Sequence, residues 1–289
     1  MVKVNKFICY FIILTFLGLS ACQNKEQVPA YICVDSFRVE TDYSKQGTNS
    51  NDIRNYWLYV NNKLIGVFEY DSLKTIPVLA TGEQRVAIYP GILENSSSTL
   101  HADYLMMKGY TFDAVLAEGM VYHFSPVFKY DNITFALLED FDGEGNAFEV
   151  SEGSVPMKIY SGENAFERKC MHFSLKDSTE EFECKTVNLL TLPKNNNNCY
   201  LEINYRCNGV FSFGFFDKHS GSTGLVETRT SVFIFRSSGN EWRKVYVNLK
   251  THLKDAQGYE IRPYFLCSKL NNDKDSNVEV YIDNVKILY

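Results

Sequence analysis

The chain lacks most of the marks by which an enzyme is read from sequence. It has no GxSxG elbow, no HExxH pair and no phosphate-binding glycine loop. Its five histidines, His101, His123, His172, His219 and His252, are scattered, and no two share the i, i+4 spacing of one helix face. No CxxC and no Cys/His spacing of a zinc module occurs. Paired carboxylates for glycoside hydrolysis would show only in folded geometry, so the expectation of a non-catalytic protein rests on absent motifs. A basic stretch is missing too, which argues against nucleic acid as a partner and against a polybasic grip on anionic lipid. After the first twenty residues no long apolar pattern of helical period appears.

What is present begins at the amino terminus. Lys3 and Lys6 precede an apolar run from Phe7 to Leu19, 13 residues, against the roughly 20 needed to cross a bilayer as a helix. Basic residues, a short apolar core and small residues after it make a secretory signal. Leu19-Ser20-Ala21-Cys22 resembles the lipobox of bacterial lipoproteins, which implies removal of residues 1–21 and a lipid on Cys22. Several acyl chains on one cysteine hold a protein to a membrane where a single chain binds marginally. Gln23 to Gln27 loosely resembles the export tag of surface lipoproteins of Bacteroidota. An outer-membrane, lipid-anchored protein is therefore expected, with surface display and a periplasmic orientation both open.

Cleavage would remove two of the 29 basic residues and none of the 35 acidic ones, leaving 27 against 35 and a net charge of −8. With 19 Tyr and 21 Phe but 2 Trp, the composition favours pleated, half-buried surfaces. Trp57 and Trp242 both fall in alternating apolar stretches and are expected in the core. Six cysteines remain in the body: Cys33, Cys170, Cys184, Cys199, Cys207 and Cys267. Export permits disulfides among them, and the pairing stays open. Cys199 and Cys207 bound one strand and would lie roughly 26 Å apart, too far for one bond.

Short alternating runs separated by Gly, Asn, Asp and Pro indicate an all-β protein of two sandwich domains. After the tether, residues 22–28, the first is expected over 29–137. Its strands include Tyr56–Val60, Leu64–Phe68, Gln84–Tyr89, Phe112–Leu116 and Val121–Tyr130, with a tight turn at Asn61-Asn62. Seven or so short strands fit an immunoglobulin-like sandwich. Trp57–Gly66, Ile76–Gly82 and Val86–Ile92 are similar to the first half of uncharacterised Bacteroidota lipoproteins and, more distantly, to PEGA-type modules. Residues 138–289 resemble a jelly roll of the galactose-binding or carbohydrate-binding type. The resemblance lies in the opening Leu138–Gly145, the closing Val280–Ile287 and the tryptophan-led Glu241–Leu249. It implies that acids on the first and last strands, here Asp142 and Asp283, hold a structural calcium; no other cofactor is expected. Asp177–Leu192 is the one stretch expected as a helix.

Two further features bear on function. Val278, Val280 and Ile282 share one parity, Val285 and Ile287 the other, which predicts a bulge at Asp283-Asn284. Asn208-Gly209 predicts a two-residue hairpin joining Cys199–Cys207 to Val210–Phe216. That pairing would collect Tyr200, Glu202, Asn204 and Arg206 beside Phe211, Phe213 and Phe215 on one face, polar forks among rings, suited to a sugar. The leading expectation is a membrane-anchored binding module for a glycan or envelope protein. The rival is a structural subunit of an envelope secretion or adhesion assembly. Asp71-Ser72-Leu73 and Asp177-Ser178-Thr179 also resemble Bacteroidota O-glycosylation sites, at Ser72 or Ser178.

Overall fold

The computed structural model describes residues 27–97, 99–194, 197–221, 224–258, 260–273 and 276–289. Cys22 and the apolar leader lie outside them. No helix among the described residues is long and apolar enough to cross a membrane. Among the described residues the fold is all-β, with two short α-helices at Tyr43–Gln46 and Lys250–Asp255 and a 3-10 turn at Lys269–Asn271.

The amino-terminal body is built on a twisted antiparallel sheet. Lys63–Glu69, Asn55–Val60 and Gly82–Leu93 lie side by side, and both His101–Asp103 and Tyr110–Leu116 pair with the last of them. Asn61 and Asn62, at φ 48° and 62°, make the primed turn that the sequence predicts. Val121–Tyr130 does not run as one strand. Pro126 has no N–H to donate, and the chain breaks into Val121–Phe124 and Val127–Tyr130. The first joins a sheet with Ala30–Val34, in parallel, and Thr75–Val78; the second joins Arg38–Val39, also in parallel, and Met107–Lys108. Ile32, Leu58, Val86, Ile88 and Phe128 fill the space between.

The second body is a sandwich of two six-stranded sheets. One runs Lys158–Tyr160, Cys170–Leu175, Val278–Leu288, Tyr200–Cys207 and Arg243–Asn248, with Phe135–Glu139 also on Val278–Leu288. Phe135 thus already belongs to this body. The other runs Phe148–Val150, Glu181–Thr186, Glu260–Ser268, Phe211–Gly221 and Gly224–Phe235, with Leu190–Thr191 on Glu260–Ser268. Between them Phe173 stacks on Phe182 at 3.7 Å and Phe211 on Phe235 at 4.5 Å. Fully burying one such side chain stabilises by about 1.5–3 kcal/mol. Truncating Phe173 would cost about 3–5 kcal/mol once the cavity is included.

The expected helix at Asp177–Leu192 is absent: a turn leads into the strands Glu181–Thr186 and Leu190–Thr191. Phe182, Cys184 and Thr186 are buried while Glu183 and Lys185 are not, a period of two that β-branched and aromatic residues favour. The Asn208-Gly209 hairpin is overturned as well. Tyr200–Cys207 pairs with Arg243–Asn248 and Val278–Leu288, whereas Phe211–Gly221 lies in the opposite sheet. The dipeptide is an arch across the sandwich, and neither residue has positive φ. Asn208 accepts the Glu279 N–H at 2.8 Å and donates to the Asn277 carbonyl. Gly209 is required by close approach, because a Cβ there would collide with Asn272 and Val278. The predicted bulge is present. Glu202 faces Lys286 while Asn204 faces Asp283, two steps against three, and Asn284 takes φ 51°.

All six cysteines of the body are buried free thiols. Burial pushes Cys170, Cys199 and Cys267 up to about 12 and Cys207 to about 11, so these four are packed, protonated residues at neutral pH.

Candidate functional site at the boundary of the two bodies

The face predicted to bind sugar is a real face of the sheet, and the first body covers most of it. Tyr200, Glu202 and Asn204 are 4%, 0% and 1% exposed. The Tyr200 hydroxyl donates to Glu94 at 2.6 Å, and Asn248 donates to the same carboxylate at 2.7 Å. Glu202 receives the hydroxyls of Tyr104 and Tyr130 and forms an ion pair with Lys244 at 2.9 Å. Lys286, across the strand, donates to the Thr48 carbonyl at 2.8 Å. Burial alone would raise the Glu202 carboxyl, but the Lys244 and Lys286 ammonium groups with the tyrosine hydroxyls outweigh it and hold it below the usual range. Burial also lowers Lys286 to about 7. The same burial, with Glu202 beside them, pushes Tyr104, Tyr130 and Tyr246 well above 10.

Arg206 is turned elsewhere. It donates to Asn164 at 2.6 Å and lies over the Tyr281 ring. Phe211, Phe213 and Phe215 point into the opposite core. Tyr200, Glu202, Asn204 and Arg206 therefore do not form an open binding face, because the polar side of their strand meets the first body instead of solvent.

Where the two bodies part, at the Tyr205 and Arg243 end of the same strands, a cleft of about 900 Å³ opens. One wall is the Ser50–Arg54 segment with Asn95; the other holds Phe166, Trp242 and Phe233. Trp242 donates its indole N–H to the Asn164 carbonyl at 3.1 Å, and the Phe166 ring lies 5.3 Å away, tilted by 60°. Arg54 is spent on Asp52, its Nε reaching both carboxylate oxygens at 2.9 and 3.0 Å. Arg236 and Arg243 are exposed on the cleft and have no carboxylate partner among the described residues. Asn204, which donates to Ser50 at 3.0 Å, keeps its carbonyl oxygen buried and unpaired at the edge of the cleft. Rings and two guanidinium groups without a carboxylate partner thus line one concave surface, Arg243 reaching the Tyr205 hydroxyl.

Trp242 is half-buried on this cleft and not in the core. It precedes the strand Arg243–Asn248, so strand alternation does not govern it, and that position was the available signal. Arg236 and Asp52 lie outside strands and carry no pattern to read. Trp57 is half-buried on the outer face of the first sheet, beside a smaller hollow with Asn55 and His101.

The acids expected to hold calcium lie beside this boundary. Asp283 is 1% exposed; one carboxylate oxygen accepts the Asn284 N–H at 2.7 Å and the other is buried without a partner. Burial first, then the charges of Glu167 and Asp142, raise it to about 8. Asp142 forms an ion pair with Arg168 at 2.6 Å and also keeps a buried unpaired oxygen. Glu167 is turned toward Tyr43 and Thr48. The two orphaned carboxylate oxygens are hard donors of the kind calcium takes. The oxygens of Asp142, Asp283 and Glu167 do not all lie within 4.8 Å of one another, so side chains would have to turn to share one ion.

No family model matches the chain, and no curated protein matches it. Among solved structures, the chain is similar to the CBM22-1 xylan-binding domain of Paenibacillus barcinonensis Xyn10C at 13% identity and TM-score 0.38, covering 53% of this chain and 93% of that one. It is similar to the family 11 carbohydrate-binding module of Clostridium thermocellum, in complex with a mixed-linked tetrasaccharide, at 15% identity and TM-score 0.35, covering 54% and 94%. A carbohydrate-binding module of the β-sandwich superfamily matches at 11% identity and TM-score 0.36, covering 81% and 85%.

Proposed function

We propose that the chain is a non-catalytic binding protein of the cell envelope, anchored through a lipid on Cys22, whose cleft takes an acidic saccharide. The observation that carries this reading is the pairing of Trp242 and Phe166 with two arginines that have no carboxylate partner among the described residues, Arg236 and Arg243, on one open concavity. Aromatic rings pack on the apolar faces of sugars, and a guanidinium reads a carboxylate or sulfate through two parallel hydrogen bonds. A glycosidase places two carboxylates about the bond it cleaves. Among the described residues lining this cleft, Asp52 is the one acid, and Arg54 holds it. The rival reading, an assembly subunit, needs a large contiguous apolar surface, whereas the cleft mixes rings with polar groups.

The test is a glycan array and calorimetry with the mature chain, using neutral and uronate- or sulfate-bearing oligosaccharides. Selective binding of acidic oligosaccharides is expected. A silent array together with a stoichiometric protein partner recovered from native membranes would make the chain an assembly subunit. Replacing Cys22 by alanine should release the protein from the membrane fraction; retention there would end the lipoprotein reading.

Asp283 and Asp142, joined by Glu167 once its side chain turns, would hold calcium as a structural ion, answering the Asp283 carboxylate that the fold buries without a cation. Added calcium should raise the melting temperature of chelated protein, and Asp283→Asn should abolish the rise. No response in the unmodified chain would remove calcium from the account.

A further inference from the structure

The small sheet of Val121–Phe124, Ala30–Val34 and Thr75–Val78, none of whose residues lines the cleft, carries a different set of groups. The parallel register places Cys33 directly beside His123. Asp35 continues that pairing, its N–H bonded to the Phe124 carbonyl at 2.9 Å, and two residues on from Cys33 it falls on the same side of the sheet. The Cys33 Sγ, a carboxylate oxygen of Asp35 and a ring nitrogen of His123 all lie within 4.8 Å of one another, and no other trio of His, Cys, Asp or Glu among the described residues does so. The Asp35 Oδ1 to His123 Nδ1 distance is 2.7 Å. The Tyr70 hydroxyl holds the Asp35 carbonyl at 2.7 Å, and the buried Cys33 thiol reaches the Ser72 carbonyl at 3.3 Å.

We propose that Cys33, Asp35 and His123 form a site for a borderline transition-metal ion, with zinc the best match. Three atoms so placed share a point no more than about 2.8 Å from each, against zinc bonds of about 2.0–2.3 Å to nitrogen, oxygen and sulfur. Rotation of the exposed His123 and Asp35 side chains closes that difference, while the strand pairing keeps their backbones in place. A thiolate with an imidazole selects against calcium and magnesium, which take oxygen. Three protein ligands leave a fourth position for solvent. On binding, the sulfur–metal bond replaces the S–H bond and the thiol proton leaves to solvent. The proton between Asp35 and His123 moves through solvent to the other ring nitrogen, and their hydrogen bond gives way to two metal bonds. The ion would tie the first described strand of the fold to its parallel neighbour, and would stabilise the fold by mass action. Unlike the Asp142 and Asp283 acids, this site offers sulfur and nitrogen, so the two sites should sort metals by hardness.

The probe is cobalt(II), titrated into chelated, reduced mature chain and read by its thiolate charge-transfer absorption, followed by competition with zinc. One equivalent of cobalt should produce the band, zinc should displace it, and excess calcium should leave it intact. Cys33→Ser should abolish the band. His123→Gln, at an exposed position that the fold tolerates, should weaken cobalt binding about tenfold or more. A band that survives Cys33→Ser comes from another thiol and overturns the assignment; so does the absence of any band in the unmodified chain.

Discussion

At their Tyr200 and Asn248 end, the strands Tyr200–Cys207 and Arg243–Asn248 press against the first body and exclude water. At their Tyr205 and Arg243 end the same strands reach the open cleft. The closed end holds Glu202, Lys244 and Lys286 with three tyrosines: Glu202 pairs with Lys244, and Lys286 is held by the Thr48 carbonyl and the Tyr130 hydroxyl. The open end holds Arg236 and Arg243, solvated and without a carboxylate partner among the described residues. A charge taken out of water must be paired inside the protein, while one left in water stays available to a ligand. The polar sheet face ends on the cleft wall at Asn204 and Lys244. Arg243, of the opposite parity, and Arg236, from the end of the other sheet, lie where the first body no longer covers it.

Breaking the closed end should have the largest effect. Glu202→Ala leaves Lys244 and Lys286 buried without their carboxylate, and such an uncompensated charge costs about 3–5 kcal/mol. Denaturant unfolding should show the loss as a shifted midpoint. A midpoint within about 0.5 kcal/mol of the parent, the range of ordinary surface changes, would mean that water reaches the cluster and that the two bodies are not locked there.

The open end should behave in the opposite way. Replacing Arg236 and Arg243 together by glutamine removes two charge-assisted contacts, each worth about 1.5–3 kcal/mol. Affinity for an acidic oligosaccharide should fall about tenfold or more by calorimetry, with the unfolding midpoint unchanged. Trp242→Ala should weaken neutral and acidic oligosaccharides alike, because a ring packs on the sugar and not on its charge. If the arginine pair changes stability and leaves affinity alone, the two ends are more alike than their burial indicates.

The contrast between the ends also marks what local sequence can and cannot carry. Alternation in Tyr200–Arg206 separates a polar side from an apolar one, and the structure keeps that division. Nothing in the alternation says whether a polar side meets water or another body. The register of neighbouring strands, which sets Lys286 and Tyr246 beside Glu202, supplies that information and is itself long-range. The bulge at Asn284 was legible because a parity switch within one strand has a single geometric meaning. Asn208-Gly209 was not, since the same dipeptide serves a hairpin through positive φ or an arch through close packing. Asp52, Arg236 and Trp242 come together from loops and strand ends far apart in the chain, so the cleft exists only in the fold.

The smallest expected effect separates a dry closed end from a wet one through pH. Lys286 has a folded value lowered to about 7 by burial, against 10.5 for an exposed lysine. Between those values the unfolded chain holds a proton that the folded chain has released, so this group makes stability rise with pH across that window. Below 7 both states are protonated and its contribution is at its lowest. Asp283, raised to about 8, acts the other way, since the folded chain keeps a proton that the unfolded chain loses. The buried thiols and tyrosines oppose Lys286 from about pH 9 upward for the same reason. The informative quantity is therefore the stability of the parent minus that of Lys286→Met, followed from pH 7 to pH 9, in which the other groups largely cancel. That difference should climb with pH. A flat difference would mean that Lys286 titrates as a solvated lysine, and that the closed end is open to water as the cleft is.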